Sequence, residues 1–239
     1  MKKLLALILA SVMILCLAGC GNKDGDSEIT DNNENTKVSI DIYNDTLTYA
    51  PNEDGDLEIT GFLVKGNDLV DVVIPASIDG RDVTGIGDAA FKACVTVRSI
   101  TFEGDILYIG NAAFYGCTAL KSITLPATVE VIEPNAFRAS GLESITLSAS
   151  LKTISLAAFW DCTALKSISF PASVEAIGDV AFWNCTALTS VEIPASVKTI
   201  GDTAFYGCTA LTAASYYASS EIGESVFDNC AEAIVVTVK

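Results

Sequence analysis

No histidine occurs anywhere in the 239 residues. That removes the Ser-His-Asp and Cys-His nucleophile–base pairs, and the histidine-containing ligand sets that hold most zinc. Positive charge is also scarce, with 14 Lys+Arg against 30 Asp+Glu and no basic cluster. So acidic a surface repels nucleic-acid phosphates and anionic lipid head groups, and neither is expected as a partner. No glycine-rich loop of phosphate-binding spacing joins a strand to a helix. The carboxylates are scattered over variable positions, and those near Asp54 and Asp105 lack the ligand spacing of a calcium loop. The expectation is no catalytic residue, no metal and no cofactor: a binding protein rather than an enzyme.

The one long apolar run lies at the N-terminus. Lys2 and Lys3 precede Leu4–Leu15, a pattern of a secretory leader too short for a membrane span. Leu17-Ala18-Gly19-Cys20 follows and resembles the bacterial lipobox, whose cysteine becomes the lipid-modified first residue. Residues 1–20 are thus read as a lipoprotein signal peptide, with Cys20 as the lipidation site. The resemblance implies a bacterial cell membrane location on the extracytoplasmic side, with membrane contact through the N-terminal lipid only. Ordinary cleavage that leaves Cys20 a spare thiol is the alternative. Without Lys2 and Lys3 the mature chain has 12 Lys+Arg against 30 Asp+Glu, a net charge of −18. Residues 21–37 (GNKDGDSEITDNNENTK) hold five acids and almost nothing apolar. They read as a flexible polar tether.

What remains is governed by an internal repeat. Phe91, Phe114, Phe137, Phe159, Phe182, Phe205 and Phe227 recur at spacings of 23, 23, 22, 23, 23 and 22 residues. Around each lies one sentence, L-x-S-I-x-L-P-A-S-V-x-x-I-G-x-x-A-F-x-x-C-T-A. In the copy beginning at Leu120, Ile123 and Leu125 alternate with Ser122 and Thr124, as in a strand with one buried face. Pro126 cannot donate to a ladder and ends it. Val129 and Ile132 return to the core, and Ala136 makes room for Phe137. The glycine after the second isoleucine (Gly87, Gly110, Gly178, Gly201, Gly223) suggests a corner needing unusual backbone angles. A lone coil cannot cover its apolar face, so the copies must stack.

This pattern is similar to the BspA-like leucine-rich repeats of bacterial surface proteins, from about Leu57 to Cys230. The resemblance implies a mainly β solenoid of about seven 22–23-residue coils, with a parallel strand per coil. It also implies an adhesion-associated cell-surface role, without naming a ligand. Ser148 in place of the proline, Pro134 and Ser155 near the glycine corner, and Ser140 in the cysteine column depart from the pattern. They question the regularity of the middle coils. Residues 38–68 are read as an N-terminal β cap and 69–239 as the solenoid with a terminal capping strand. In that last strand, AIVVTVK, Val236 and Val238 fall on inward positions, and the strand forms an apolar edge.

Cys94, Cys117, Cys162, Cys185, Cys208 and Cys230 share one column of the repeat. A buried thiol ladder is favoured, because neighbouring side chains in a parallel stack run alongside one another. Disulfide pairs and metal are the alternatives. Two outward columns are candidate binding surfaces. One is the strand face, where Ser99, Ser122, Ser144, Ser167 and Ser190 align beside Thr101, Thr124, Thr146, Ser169 and Glu192. The other follows the phenylalanine: Lys92, Tyr115, Arg138, Trp160, Trp183, Tyr206, Asp228. Its centre, Tyr115, Arg138, Trp160, Trp183 and Tyr206, has the residue types of binding anchors. The competing readings are small polar residues that merely suit an exposed sheet, and rings that shield the coil edge. The function expected is recognition of an extracellular or host protein or glycan. The alternative is a structural envelope protein that self-associates through its ends.

Overall fold

The structure, a computed structural model, describes residues 41–43, 46–63 and 66–239. The leader, Cys20 and the 21–37 tether lie outside the described residues. No helix occurs among the described residues. They form a β-solenoid of about eight turns, counting the N-terminal turn that carries Phe62.

Most coils contribute a second, two-residue strand on the return limb besides the Ser-Ile-Thr strand. Tyr108–Ile109, Val131–Ile132, Thr153–Ile154, Ala176–Ile177, Thr199–Ile200 and Glu221–Ile222 pair in parallel. Their isoleucines stand in one file, and only Ile222 at the end is exposed. This ladder continues through Arg81–Ile86 to the strand Leu57–Phe62. Leu57–Phe62 is the inner member of an antiparallel set with Leu47–Pro51 and Asp41–Tyr43. These antiparallel strands lie across the first coil.

The Ser-Ile-Thr limb is less continuous. Val70–Ile74 pairs with Val97–Phe102, Ser122–Thr124 with Ser144–Thr146, and Ser190–Glu192 with Ala213–Tyr216 and then Val235–Val238. Residues Ser167–Ser169 form no strand, although Ile168 stays buried among its equivalents. The departures in the middle coils are absorbed locally. Ser148 is fully buried, and its hydroxyl donates to the Ala127 carbonyl of the preceding coil at 2.8 Å.

The core is a column of rings. Phe91, Phe114, Phe137, Phe159, Phe182 and Phe205 are all fully buried, and neighbouring rings stack 5.0–5.4 Å apart within 13° of parallel. Phe62 tops the column from the cap, 5.7 Å from Phe91.

The glycine corners have a different cause from the one the sequence suggests. None of Gly87, Gly110, Gly178, Gly201 and Gly223 has positive φ. They are small because coils approach there. A Cβ on Gly110 would lie 2.7 Å from the Gly87 carbonyl carbon, and one on Gly201 would lie 2.6 Å from that of Gly178. Where Glu133 and Ser155 hold the slot, the rings of Phe137 and Phe159 stand 5.4 Å apart, the widest interval among the six fully buried rings.

Left-handed backbone occurs instead two residues before and two after each phenylalanine. In one coil these are Val180 (φ 50°) and Asn184 (φ 56°), in another Asn135 (φ 58°) and Ala139 (φ 54°). Such conformations are uncommon for side-chain-bearing residues. They aim every second amide at the next coil: Val180 N–H donates to the Asp202 carbonyl, Phe182 to Ala204 and Asn184 to Tyr206, at 2.7–2.9 Å.

Candidate recognition surface

The left-handed residue after each phenylalanine's successor decides where that successor points. Ala93, Gly116, Ala139, Asp161, Asn184, Gly207 and Asn229 all have φ between 54° and 73°. Each turns the chain sharply, so the preceding side chain projects from the same edge of every coil. The sequence carries a legible sign of this, because five of the seven are Gly, Asp or Asn, the residues that tolerate this backbone best. Sequence reasoning passed over that column.

Tyr115, Arg138, Trp160, Trp183 and Tyr206 are brought together as one continuous stack. The Arg138 guanidinium lies 4.2 Å from the Trp160 ring centroid and 5.8 Å from that of Tyr115. Trp160 is tilted against Trp183 at 5.6 Å, and Trp183 stacks on Tyr206 at 4.1 Å. Lys92 extends the row over Tyr115 at 5.6 Å, and the Asn229 amide donates to the Tyr206 hydroxyl at the other end. All five central residues are half-buried, whereas Lys92 and Asp228 are exposed. The stripe is therefore outward but not free-standing: its members cover one another's faces and leave their edges to solvent. Neither indole N–H and no donor on the Tyr115 ring is engaged inside the described chain, and none is buried.

The strand face is built otherwise. Ser122, Thr124, Ser144, Thr146, Ser167 and Ser169 are exposed in two rows, with Ser122 opposite Ser144 and Thr124 opposite Thr146. An open depression separates Ser99–Asp105 from Ser122–Pro126, where neighbouring strands do not pair. Charge pairs step from coil to coil along the solenoid: Arg98 with Asp71, Lys166 with Glu143, Lys198 with Glu175. The Arg98 guanidinium, helped by the Ser99 hydroxyl, holds the Asp71 carboxyl down at about 2.

The cysteine column lies inside, away from both surfaces. Cys117, Cys162, Cys185, Cys208 and Cys230 are free thiols. Each donates to the carbonyl of a phenylalanine one coil back: Cys117 to Phe91 at 3.0 Å, Cys162 to Phe137 at 3.0 Å, Cys208 to Phe182 at 3.2 Å. Burial pushes the thiols of Cys117 and Cys162 up to about 12. Ser140 keeps the column polar at its slot, 3.3 Å from the Cys162 sulfur. Cys94 departs from the expected ladder because it is disulfide-bonded. Among the described residues no group of His, Cys, Asp and Glu is arranged to hold a metal ion.

The terminal strand keeps the register of the strands before it. Val236 stands in register with the buried Ala214. Val235, Val236 and Val238 are 62%, 39% and 52% exposed.

Comparison with known proteins agrees with this architecture. No curated protein matches the chain in sequence. Among solved structures it is similar to the leucine-rich repeat protein TpLRR of T. pallidum, at 28% identity and a TM-score of 0.55, over 82% of this chain and 80% of that one. It is also similar to a leucine-rich repeat protein of Bacteroides ovatus, at 28% identity and a TM-score of 0.37, over 83% and 71%. The pneumococcal vaccine antigen PcpA shares the fold at 18% identity and a TM-score of 0.50, over 84% and 70%. The BspA type leucine rich repeat region matches residues 84–212 and 131–238, in six copies. With most of the coils inside that match, the chain belongs to the BspA-type leucine-rich-repeat family.

Proposed function

We propose that this protein is a lipid-anchored, extracytoplasmic recognition module of a bacterial surface. It binds a protein or glycan partner through the Tyr115–Tyr206 stripe and performs no catalysis of its own. The observation that carries this reading is the stacked row of Arg138, Trp160, Trp183 and Tyr206, with its open donor edges. Arg, Trp and Tyr dominate the energetics of interfaces because they bury large area at small entropic cost. Here stacking has already fixed their rotamers, so little further ordering accompanies binding. Anchoring through Cys20 with the polar tether would hold the stripe clear of the membrane.

The test is the double variant Trp160→Ala and Trp183→Ala, with the full chain offered to extracellular matrix proteins and glycan arrays. Loss of these rings removes about 0.5–1.5 kcal/mol per aromatic contact, so melting drops modestly while partner binding falls steeply. Binding at full strength in a folded variant would exclude the stripe and leave the strand face. Both tryptophans of the protein lie in the stripe. Intrinsic fluorescence therefore reports engagement there in the unmodified chain. For the anchor, Cys20→Ala should release the protein from the membrane fraction or leave an uncleaved precursor.

A second reading has one specific observation in its favour. Val235–Val238 is an apolar strand, and among the described residues no strand pairs with its outer side. Such edges template association. If the protein is instead a self-assembling envelope component, its sedimentation must change with concentration and stop changing in a Val236→Lys variant.

A further inference from the structure

We infer that the stripe is an anion seat, with Arg138 as its fork, and that its occupant is a carboxylate-bearing segment of a protein partner. This inference rests on the stripe being the binding surface. The chain holds more than two acids for every base, yet Arg138, like Lys92 and Lys152, makes no ion pair among the described residues, and of these three it alone is half-buried. Arg98, Lys166, Lys198 and Lys239 each pair with a carboxylate one or two coils away. Arg81 donates to the Gly55 and Asp56 carbonyls. Arg138 does neither. The one hydrogen bond of its guanidinium within the described chain is a long contact, 3.5 Å, to the Asn135 side-chain oxygen. Asp161, one coil on, instead accepts from the Asn184 amide at 3.1 Å.

The guanidinium is held between two rings, Tyr115 on one side and Trp160 on the other. Face contacts with aromatics leave the planar edge of an arginine, with its N–H groups, free to bind a carboxylate through two parallel hydrogen bonds. The seat is thus pre-organised, and it costs little side-chain entropy to fill. On the flanks lie further donors, the indole N–H groups of Trp160 and Trp183 and the Tyr115 hydroxyl, together with the Lys92 ammonium. The edges of aromatic rings carry the positive end of their quadrupole. From Lys92 to Trp183 the outward groups therefore favour acceptors and negative charge, and Asp228 lies beyond them at the far end of the column.

The same geometry selects protein over sugar. Stacking on a pyranose uses the face of an aromatic ring, and here those faces are occupied: Trp160 by Arg138 and Trp183, Trp183 by Tyr206. What remains open are hydrogen-bond donors in a line along the solenoid axis. That suits the acceptors of a peptide backbone and an acidic side chain.

The experiment uses the full-length protein in detergent and a fluorescently labelled peptide of alternating glutamate and serine. Its controls are the same peptide with glutamine for glutamate, and polygalacturonate. The acidic peptide should raise anisotropy in the millimolar range or tighter and perturb tryptophan emission, while the glutamine peptide does neither. Arg138→Gln should weaken binding by about tenfold or more. Arg138→Lys, which keeps the charge and loses the fork, should recover only part of it. Lys152→Gln, an exposed cation on another limb, should change nothing, and melting of all three should confirm that they fold. Absence of acidic-peptide binding, equal binding of the glutamine peptide, or polygalacturonate binding in its place would each overturn the inference. If Arg138→Gln binds normally while Trp160→Ala with Trp183→Ala does not, the anion seat falls and the stripe stands. If neither variant loses binding, both fall.

Discussion

Replacing Phe159 by alanine tests whether the ring column is the element that unifies the coils. Phe159 is fully buried and stacks on two equally buried rings, Phe137 at 5.4 Å and Phe182 at 5.1 Å, each within 5° of parallel. Truncation of a core phenylalanine costs about 3–5 kcal/mol, and more where the cavity cannot collapse. Collapse is hindered here because the neighbouring coils are tied by backbone hydrogen bonds directly above and below: Phe137 N–H to the Ala158 carbonyl, Phe159 N–H to that of Ala181. The upper part of the range, about 4–5 kcal/mol, is therefore expected. For about 200 folded residues this lowers Tm by roughly 8–20 °C. The internal control is Phe227→Ala. Phe227 is half-exposed at the end of the stack, with Phe205 on one side at 5.6 Å and only Tyr216, 6.5 Å away, besides. Its loss should cost about 1–2 kcal/mol, in proportion to the smaller area it buries. Thermal melts followed by circular dichroism would read the whole solenoid, and tryptophan emission would read the middle coils. Equal costs for the two variants would refute the reasoning, since they would mean that the ends of the column are as tightly held as its centre.

The coil corners make a second case. Gly201→Ala should destabilise by about 1–3 kcal/mol, because its Cβ meets the Gly178 and Asp179 backbone and no rotamer change relieves it. An equilibrium denaturation curve unchanged from the parent would show that the coils part freely. Alkylation followed by mass spectrometry should label Cys230, which is only half-buried, in the native protein, and Cys117, Cys162, Cys185 and Cys208 only in denaturant. Rapid native labelling of the four would contradict the buried ladder. Between pH 3.8 and 2 the stabilisation from the Asp71–Arg98 pair should drain away: the Asp71 carboxyl is held at about 2 when folded against an ordinary 3.8, so the contribution is full above about 3.8 and gone once pH has fallen through 2. Asp71→Asn should flatten that segment of the acid-unfolding curve.

Much of the fold was readable from the amino-acid order alone. A period of 22–23 residues, with apolar letters at fixed slots, admits few structures other than stacked coils, because each coil lacks the means to cover its own core. The inward isoleucines, the phenylalanine column and the outward serines and threonines follow from that period and from strand alternation. The stripe was legible too, as a column whose identity wanders among Lys, Tyr, Arg, Trp and Asp where core columns do not.

What the order of residues did not reveal is how closely the coils approach and how neighbours in a column meet. The glycines after the second isoleucine looked like conformational corners, yet their backbone is ordinary and they serve proximity, a relation between residues 23 apart. The left-handed positions fall partly on Val180, Thr203 and Ala157, residues with no local preference for that region. There the inter-coil hydrogen bonds override propensity, and only the assembled stack supplies them. In the same way the sequence put Trp160, Trp183 and Tyr206 on one edge, but tertiary structure turned their faces toward each other and their edges outward. Side-chain period sets which residues share an edge; the roughly 5 Å rise between coils, which matches the contact distance of stacked rings, sets what that edge presents.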